Sequence, residues 1–127
     1  MKASSGAFTA SIAKYRNILI IIKGSPDPDA IASSFAISAV CRSLNVSSTI
    51  IATKKLSLPQ NRAMVDILDI PLDISPRLPD PRQFDAYIVT DHPSSAAGEL
   101  AGSLPCAVYI DHHEPSVEKA KADFILR

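Results

Sequence analysis

The segment Ile18-Leu19-Ile20-Ile21-Ile22 admits few folds. It is apolar without alternation and largely β-branched, so neither side is left for water. That is the pattern of a strand covered on both faces of a parallel sheet. Gly24-Ser25-Pro26-Asp27-Pro28 follows, where prolines fix φ and remove backbone donors, so a loop is expected. The pattern then recurs. Thr49-Ile50-Ile51-Ala52 reads as a second strand, and Leu72-Asp73-Ile74 allows a short one between proline-rich stretches. Ala86-Tyr87-Ile88-Val89-Thr90 is another buried-type strand ending in Asp91, and Ala107-Val108-Tyr109-Ile110 ends in Asp111-His112-His113. At five residues, 18–22 is unsurpassed among the apolar runs, far below the roughly 20 needed to cross a bilayer. No membrane partner is expected, and no long apolar stretch follows Lys2 to make a secretory signal.

Helical spacing fills the gaps between strands. Phe8, Ile12 and Tyr15 recur at one helix face, after small polar residues over 1–6. From Asp29 onward, Ala30, Ser33, Ser34, Ile37 and Cys41 suit a helix to about Leu44, with Asp29 at its N-cap and Asn45 as its stop. Ser57 and Pro59 open a short helix in which Ala63 and Ile67, and Met64 and Leu68, sit four apart. A Ser/Ala-rich helix is expected over 94–101, stopped by Gly102. Strands alternating with helices imply an α/β fold: an open, mainly parallel sheet with helices on both faces.

Composition narrows the function. The 127 residues fit one domain, and 13 Lys+Arg balance 13 Asp+Glu to zero formal charge. A sequence-independent clamp on long duplex nucleic acid needs a basic surplus, so that class is disfavoured; a small phosphorylated ligand is not. Cys41 and Cys106 sit among apolar neighbours, as expected of buried free thiols in a reducing cytoplasm.

Three strands each deliver acids or imidazoles at their carboxyl ends: Asp27 and Asp29, then Asp91, then Asp111, His112 and His113. In open parallel sheets ligands bind outside those ends, near the point where strand order reverses. Taken singly, Asp29 reads as a helix cap, Asp91 as a turn acid and the histidines as structural. A cap explains one residue at a time. A divalent-metal centre explains why all of them lie at one sheet edge, and carboxylate with imidazole suits manganese, magnesium, iron or zinc.

These residues resemble the DHH phosphoesterase superfamily. Lys23-Gly24-Ser25-Pro26-Asp27-Pro28-Asp29-Ala30-Ile31-Ala32-Ser33-Ser34 resembles its first motif, Thr90-Asp91 its second, and Asp111-His112-His113 the tripeptide that names it. The superfamily includes single-strand-specific exonucleases, oligoribonuclease/nucleotide phosphatases, cyclic-dinucleotide phosphodiesterases, exopolyphosphatases and family II pyrophosphatases. The first motif is nearest to the oligoribonuclease/3′-phosphoadenosine 5′-phosphate phosphatase branch. The resemblance implies a two-manganese centre that activates a shared water and neutralises phosphoryl oxygens. It assigns Asp27 to the first ion, Asp29 and His112 to the second, and Asp91 to both. His113 would contact phosphate, and Asp111 would orient an imidazole.

Two departures from the family pattern carry further expectations. Lys23 stands where most members have a histidine ligand. An ammonium offers three donors and no acceptor, so the first metal site is expected to be weakened, with Lys23 standing in for a cation or contacting phosphate. The family's fourth acidic motif and C-terminal substrate-closing domain are absent from the 127 residues, so a truncated N-terminal lobe of a longer parent protein is expected, with Asp123-Phe124-Ile125-Leu126 starting a further strand. The expected function is metal-dependent hydrolysis of short oligonucleotides, nucleotide phosphates or cyclic dinucleotides, with feeble or no activity in this chain alone. The alternative is a non-catalytic nucleotide- or phosphate-binding regulatory module on a degenerate lobe.

Overall fold

The apolar runs become the strands of a single sheet. The computed structural model describes residues 5–22, 26–90, 103–110 and 124–126. In chain order it holds helix α1 (Ser5–Ala13), strand β1 (Asn17–Ile22), helix α2 (Pro28–Ser43), strand β2 (Ser47–Ala52), helix α3 (Pro59–Ile67) and strand β3 (Leu72–Ile74). A 3₁₀ turn (Pro81–Gln83) leads to strands β4 (Ala86–Thr90), β5 (Cys106–Ile110) and β6 (Phe124–Leu126). The six strands run in the order β3-β2-β1-β4-β5-β6, with every neighbouring pair parallel. The chain is therefore an α/β protein with an open, Rossmann-like parallel sheet. Its strand order reverses between β1 and β4, the switch point beside which such sheets place ligands. The helix expected over 94–101 lies outside the described residues.

Strand β1 shows why no polar residue interrupts its run. Ile18, Ile20 and Ile22 pack with Ile12 of α1 and Ala30, Ile37 and Cys41 of α2 on one side of the sheet. Leu19 and Ile21 pack on the other with Ile51, Tyr87, Val89 and Cys106, against Leu78, Phe84 and Leu104 from connecting segments. Each of the five is fully buried, worth about 1.5–3 kcal/mol per side chain. A bulge between β4 and β5 pairs Tyr87 with Cys106 and then Ile88 with Val108. Ala107 is the extra residue, and it and Val108 both join the helix-side core, which plain alternation forbids.

Helices α2 and α3 end in the same way. Asn45 and Asp69 take φ of 59° and 51°, a left-handed turn that Asn and Asp tolerate better than branched residues. The next amides reach back, Val46 N–H to Cys41 O at 2.8 Å and Ile70 N–H to Val65 O at 3.0 Å. These are Schellman closures, with Val46 and Ile70 buried beneath them.

One sequence expectation needs correction, and one helix packs unusually. The N-cap of α2 is Asp27, not Asp29: Asp27 has φ −96° and ψ 169°, and Pro28 opens the helix. The proline drives the residue before it out of the α region, which is where a cap must sit, and its own missing N–H costs nothing there. Asp29 falls in the first turn instead. Helix α3 does not bury its apolar pairs. Ile67 is 80% exposed and Leu68 49%, whereas its buried residue is Asn61.

Burial also sets the alkaline limit of the fold. Cys41 and Cys106 are both free and buried. Desolvation pushes the Cys41 thiol from 9.0 up to about 11, partly offset by hydrogen bonds from its backbone and Ser48. Desolvation, then Cys106, pushes the Tyr87 hydroxyl from 10.0 up to about 12. The unfolded chain releases these protons first, so their contribution is intact below about pH 9 and is lost as pH rises towards 12. The melting temperature should fall steadily above pH 9, and less steeply between pH 9 and 11 in Cys41→Val. A variant with the same slope as wild type would exclude Cys41 as a source.

Candidate functional site

The carboxyl ends of β1 and β4 lie side by side, with Ile21 opposite Val89. After β1 the chain turns through Pro26 and Asp27 into α2, so the acids of the first motif stand at that edge. Asp27 Oδ1 accepts the Ala30 N–H at 2.8 Å, the side-chain cap of the helix. Asp27 and Asp29 are both exposed. No other protein partner of their carboxylates is found among the described residues, so Asp27 Oδ2 and both oxygens of Asp29 have none there. Such unspent oxygens fit a hard divalent cation, for which carboxylates are the preferred ligands. They are two donor groups only. Among the described residues no group of three or more His, Cys, Asp or Glu stands close enough to hold a metal.

The remaining site candidates fall elsewhere in the chain. Lys23, Asp91, Asp111, His112 and His113 lie outside the described residues. Their sequence positions still matter: Asp91 follows Thr90, the last residue of β4, and Asp111 follows Ile110, the last of β5. The topology thus brings together, as parallel neighbours, the three strands whose carboxyl ends the motifs continue.

Two buried hydrogen bonds hold this edge, with a part-buried one further along α2, and sequence spacing marks none of these pairings. Ser34 Oγ of α2 and Thr90 Oγ1 of β4 lie 3.0 Å apart, both fully buried. One turn further along α2, Ser38 Oγ meets Ser48 Oγ of β2 at 3.0 Å. The helix is thereby tied to the strand on either side of β1. The second contact comes from α3, where Asn61 Nδ2 donates to Pro26 O at 3.2 Å. A carbonyl buried at Pro26 needs a donor, but Asn61, flanked by Gln60 and Arg62, carries no sequence mark that it supplies one. A recess of about 450 Å³ lined by Ser38, Arg42, Asn45, Val46, Ser47, Ser48 and Pro71 opens at the opposite, amino edge. It contains none of the motif residues.

Comparison with known proteins bears on the same region. No curated protein matches the chain. The family model described as the DHH family, N-terminal domain, matches residues 17–127. Residue 17 is also the first of β1, so the matched segment takes in all six strands and the turn that carries Asp27 and Asp29. A match of that extent makes this chain a member of the DHH family, by way of its N-terminal domain.

Proposed function

We propose that the chain is the catalytic lobe of a manganese-dependent phosphoesterase acting on short oligonucleotides, nucleotide phosphates or cyclic dinucleotides. DHH family members are phosphoesterase hydrolases. The observation that carries the reading is the placement of Asp27 and Asp29 at the switch point, where β1 and β4 lie side by side. In this reading Asp27, Asp29, Asp91 and His112 hold two ions, Asp111 orients an imidazole, and His113 and Lys23 contact substrate phosphate. The ions, when bound, supply charge neutralisation at the phosphoryl oxygens and a water acidified enough to attack phosphorus. The chain's own acids set where a phosphate can sit, and the cap on Asp27 limits its rotation. Zero net charge favours a short substrate, because local ligands rather than a basic surface hold the phosphate.

Lys23 keeps a second reading in play. A cation fixed at that position would serve a module that binds nucleotide without hydrolysing it. The two readings separate in one experiment on the chain, a short adenylate oligomer incubated with and without manganese. Feeble release of mononucleotide that needs manganese, stops with a chelator and disappears in Asp29→Asn is the expected result. No hydrolysis, with nucleotide raising the melting temperature in the absence of manganese, would establish the binding module instead.

A further inference from the structure

Helix α3 is built the wrong way round for an ordinary surface helix. It exposes Ile67 at 80% and leaves Leu68, just beyond it, at 49%, while Asn61 is 2% exposed. A buried polar side chain is the informative exception in a fold, because hydrogen bonds must offset its desolvation. Here the bond is known. Asn61 Nδ2 donates to the carbonyl oxygen of Pro26, 35 residues earlier in the chain, at 3.2 Å. A carbonyl acceptor fixes which end of the amide points to it.

Pro26 is buried and immediately precedes Asp27. Its carbonyl cannot be satisfied by α2, whose first intrahelical acceptor is the Asp27 carbonyl, bonded to Ile31 N–H at 3.0 Å. The peptide joining Pro26 to Asp27 is thus held by the amide of Asn61 on one side and by the Asp27–Ala30 cap on the other. Without Asn61, the Pro26 carbonyl has no partner among the described residues, and the turn before Asp27 is held by the cap alone.

The geometry points to Asn61 as the positioning residue of the acid-bearing turn: it acts through Pro26 O to hold Asp27, and with it Asp29, in the orientation that receives a divalent cation. This rests on the phosphoesterase reading above. Asn61 touches neither substrate nor metal. Residues that orient metal ligands from outside the coordination sphere typically contribute 10- to 100-fold in affinity.

The test is manganese titration of the chain by calorimetry, with melting temperature measured in parallel. Asn61→Leu, close in volume and lacking the donor, should raise the manganese dissociation constant by about 10- to 100-fold. Asn61→Gln, which keeps the donor on a longer stem, should recover most of that loss. Ser38→Ala removes a part-buried contact between α2 and β2, away from the acid-bearing turn, and should lower the melting temperature without changing manganese affinity. If Asn61→Leu does not fold, Asn61→Ala carries the same expectation. Wild-type affinity in a folded Asn61→Leu or Asn61→Ala, whatever its melting temperature, overturns the assignment and leaves Asn61 a packing residue. Wild-type chain that takes up no manganese overturns the phosphoesterase reading itself, and this assignment with it.

Discussion

Asp27→Asn is expected to leave the chain folded and to weaken manganese binding by about 100-fold or more, beyond the 10- to 100-fold that an outer partner contributes. The two roles of Asp27 make this substitution informative. As a cap it needs only an oxygen to accept the Ala30 N–H, and asparagine caps as well as aspartate. As a metal ligand it needs the charge, which asparagine lacks. Asp27→Ala removes both, and should cost about 0.5–2 kcal/mol of stability as well. Calorimetric titration and thermal melts on the two variants separate the effects. Equal manganese affinity in Asp27→Asn and wild type would reduce Asp27 to a helix cap.

The largest effect on stability is expected at the centre of the sheet. Ile20 is fully buried and sits between Ile50 of β2 and Ile88 of β4. All three belong to the core beneath α1 and α2. Ile20→Ala deletes packing on both flanks and leaves a cavity that parallel neighbours cannot close, at a cost of about 2–5 kcal/mol. That is a large share of the roughly 5–15 kcal/mol that holds an ordinary domain together. Ile67→Ala is the matched control. Ile67 is 80% exposed, so its loss should stay within about 0.5 kcal/mol. Urea midpoints on both variants decide the matter. Comparable losses would mean that α3 is packed in solution against something that hides Ile67.

The strands were legible because burial on both faces leaves a composition that no other element shares. Ile18-Leu19-Ile20-Ile21-Ile22 and Ala86-Tyr87-Ile88-Val89-Thr90 appear as β1 and β4 almost to the residue. Their adjacency was not legible, since parallel pairing leaves no local mark and the partner of β1 lies beyond two other strands. The bulge at Ala107 was hidden for a related reason: one extra residue reverses the faces that follow it, and an all-apolar run conceals the change. The cap of α2 was misplaced because Asp27 and Asp29 are equally good cap residues by type. Only the steric demand of Pro28 on its predecessor separates them. Asp27 and Asp29 stand at the carboxyl edge of β1, where their place in the sequence puts them. Asn61 and the pairing of Ser34 with Thr90 left no mark in the sequence, because a hydrogen bond across 35 or 56 residues has no spacing to recognise.

The seam between β1 and β4 closes the longest loop of the sheet. At its amino end Asp85 accepts the Asn17 N–H across 68 residues and the Arg16 N–H at 2.8 Å. At its carboxyl end Ser34 and Thr90 close it. The other pairings, β1 with β2 and β4 with β5 among them, join strands far nearer in sequence. Loop closure costs more entropy as the loop lengthens, so of all the strand pairs this one takes the most chain entropy to form, and the burial of β1 between β2 and β4 is what offsets it. The edge that bears Asp27 and Asp29 belongs to that pair. A chain that has lost only this join would keep most of its secondary structure and none of the geometry between its two halves, so the integrity of the seam, rather than helix content, is the measure of a competent preparation.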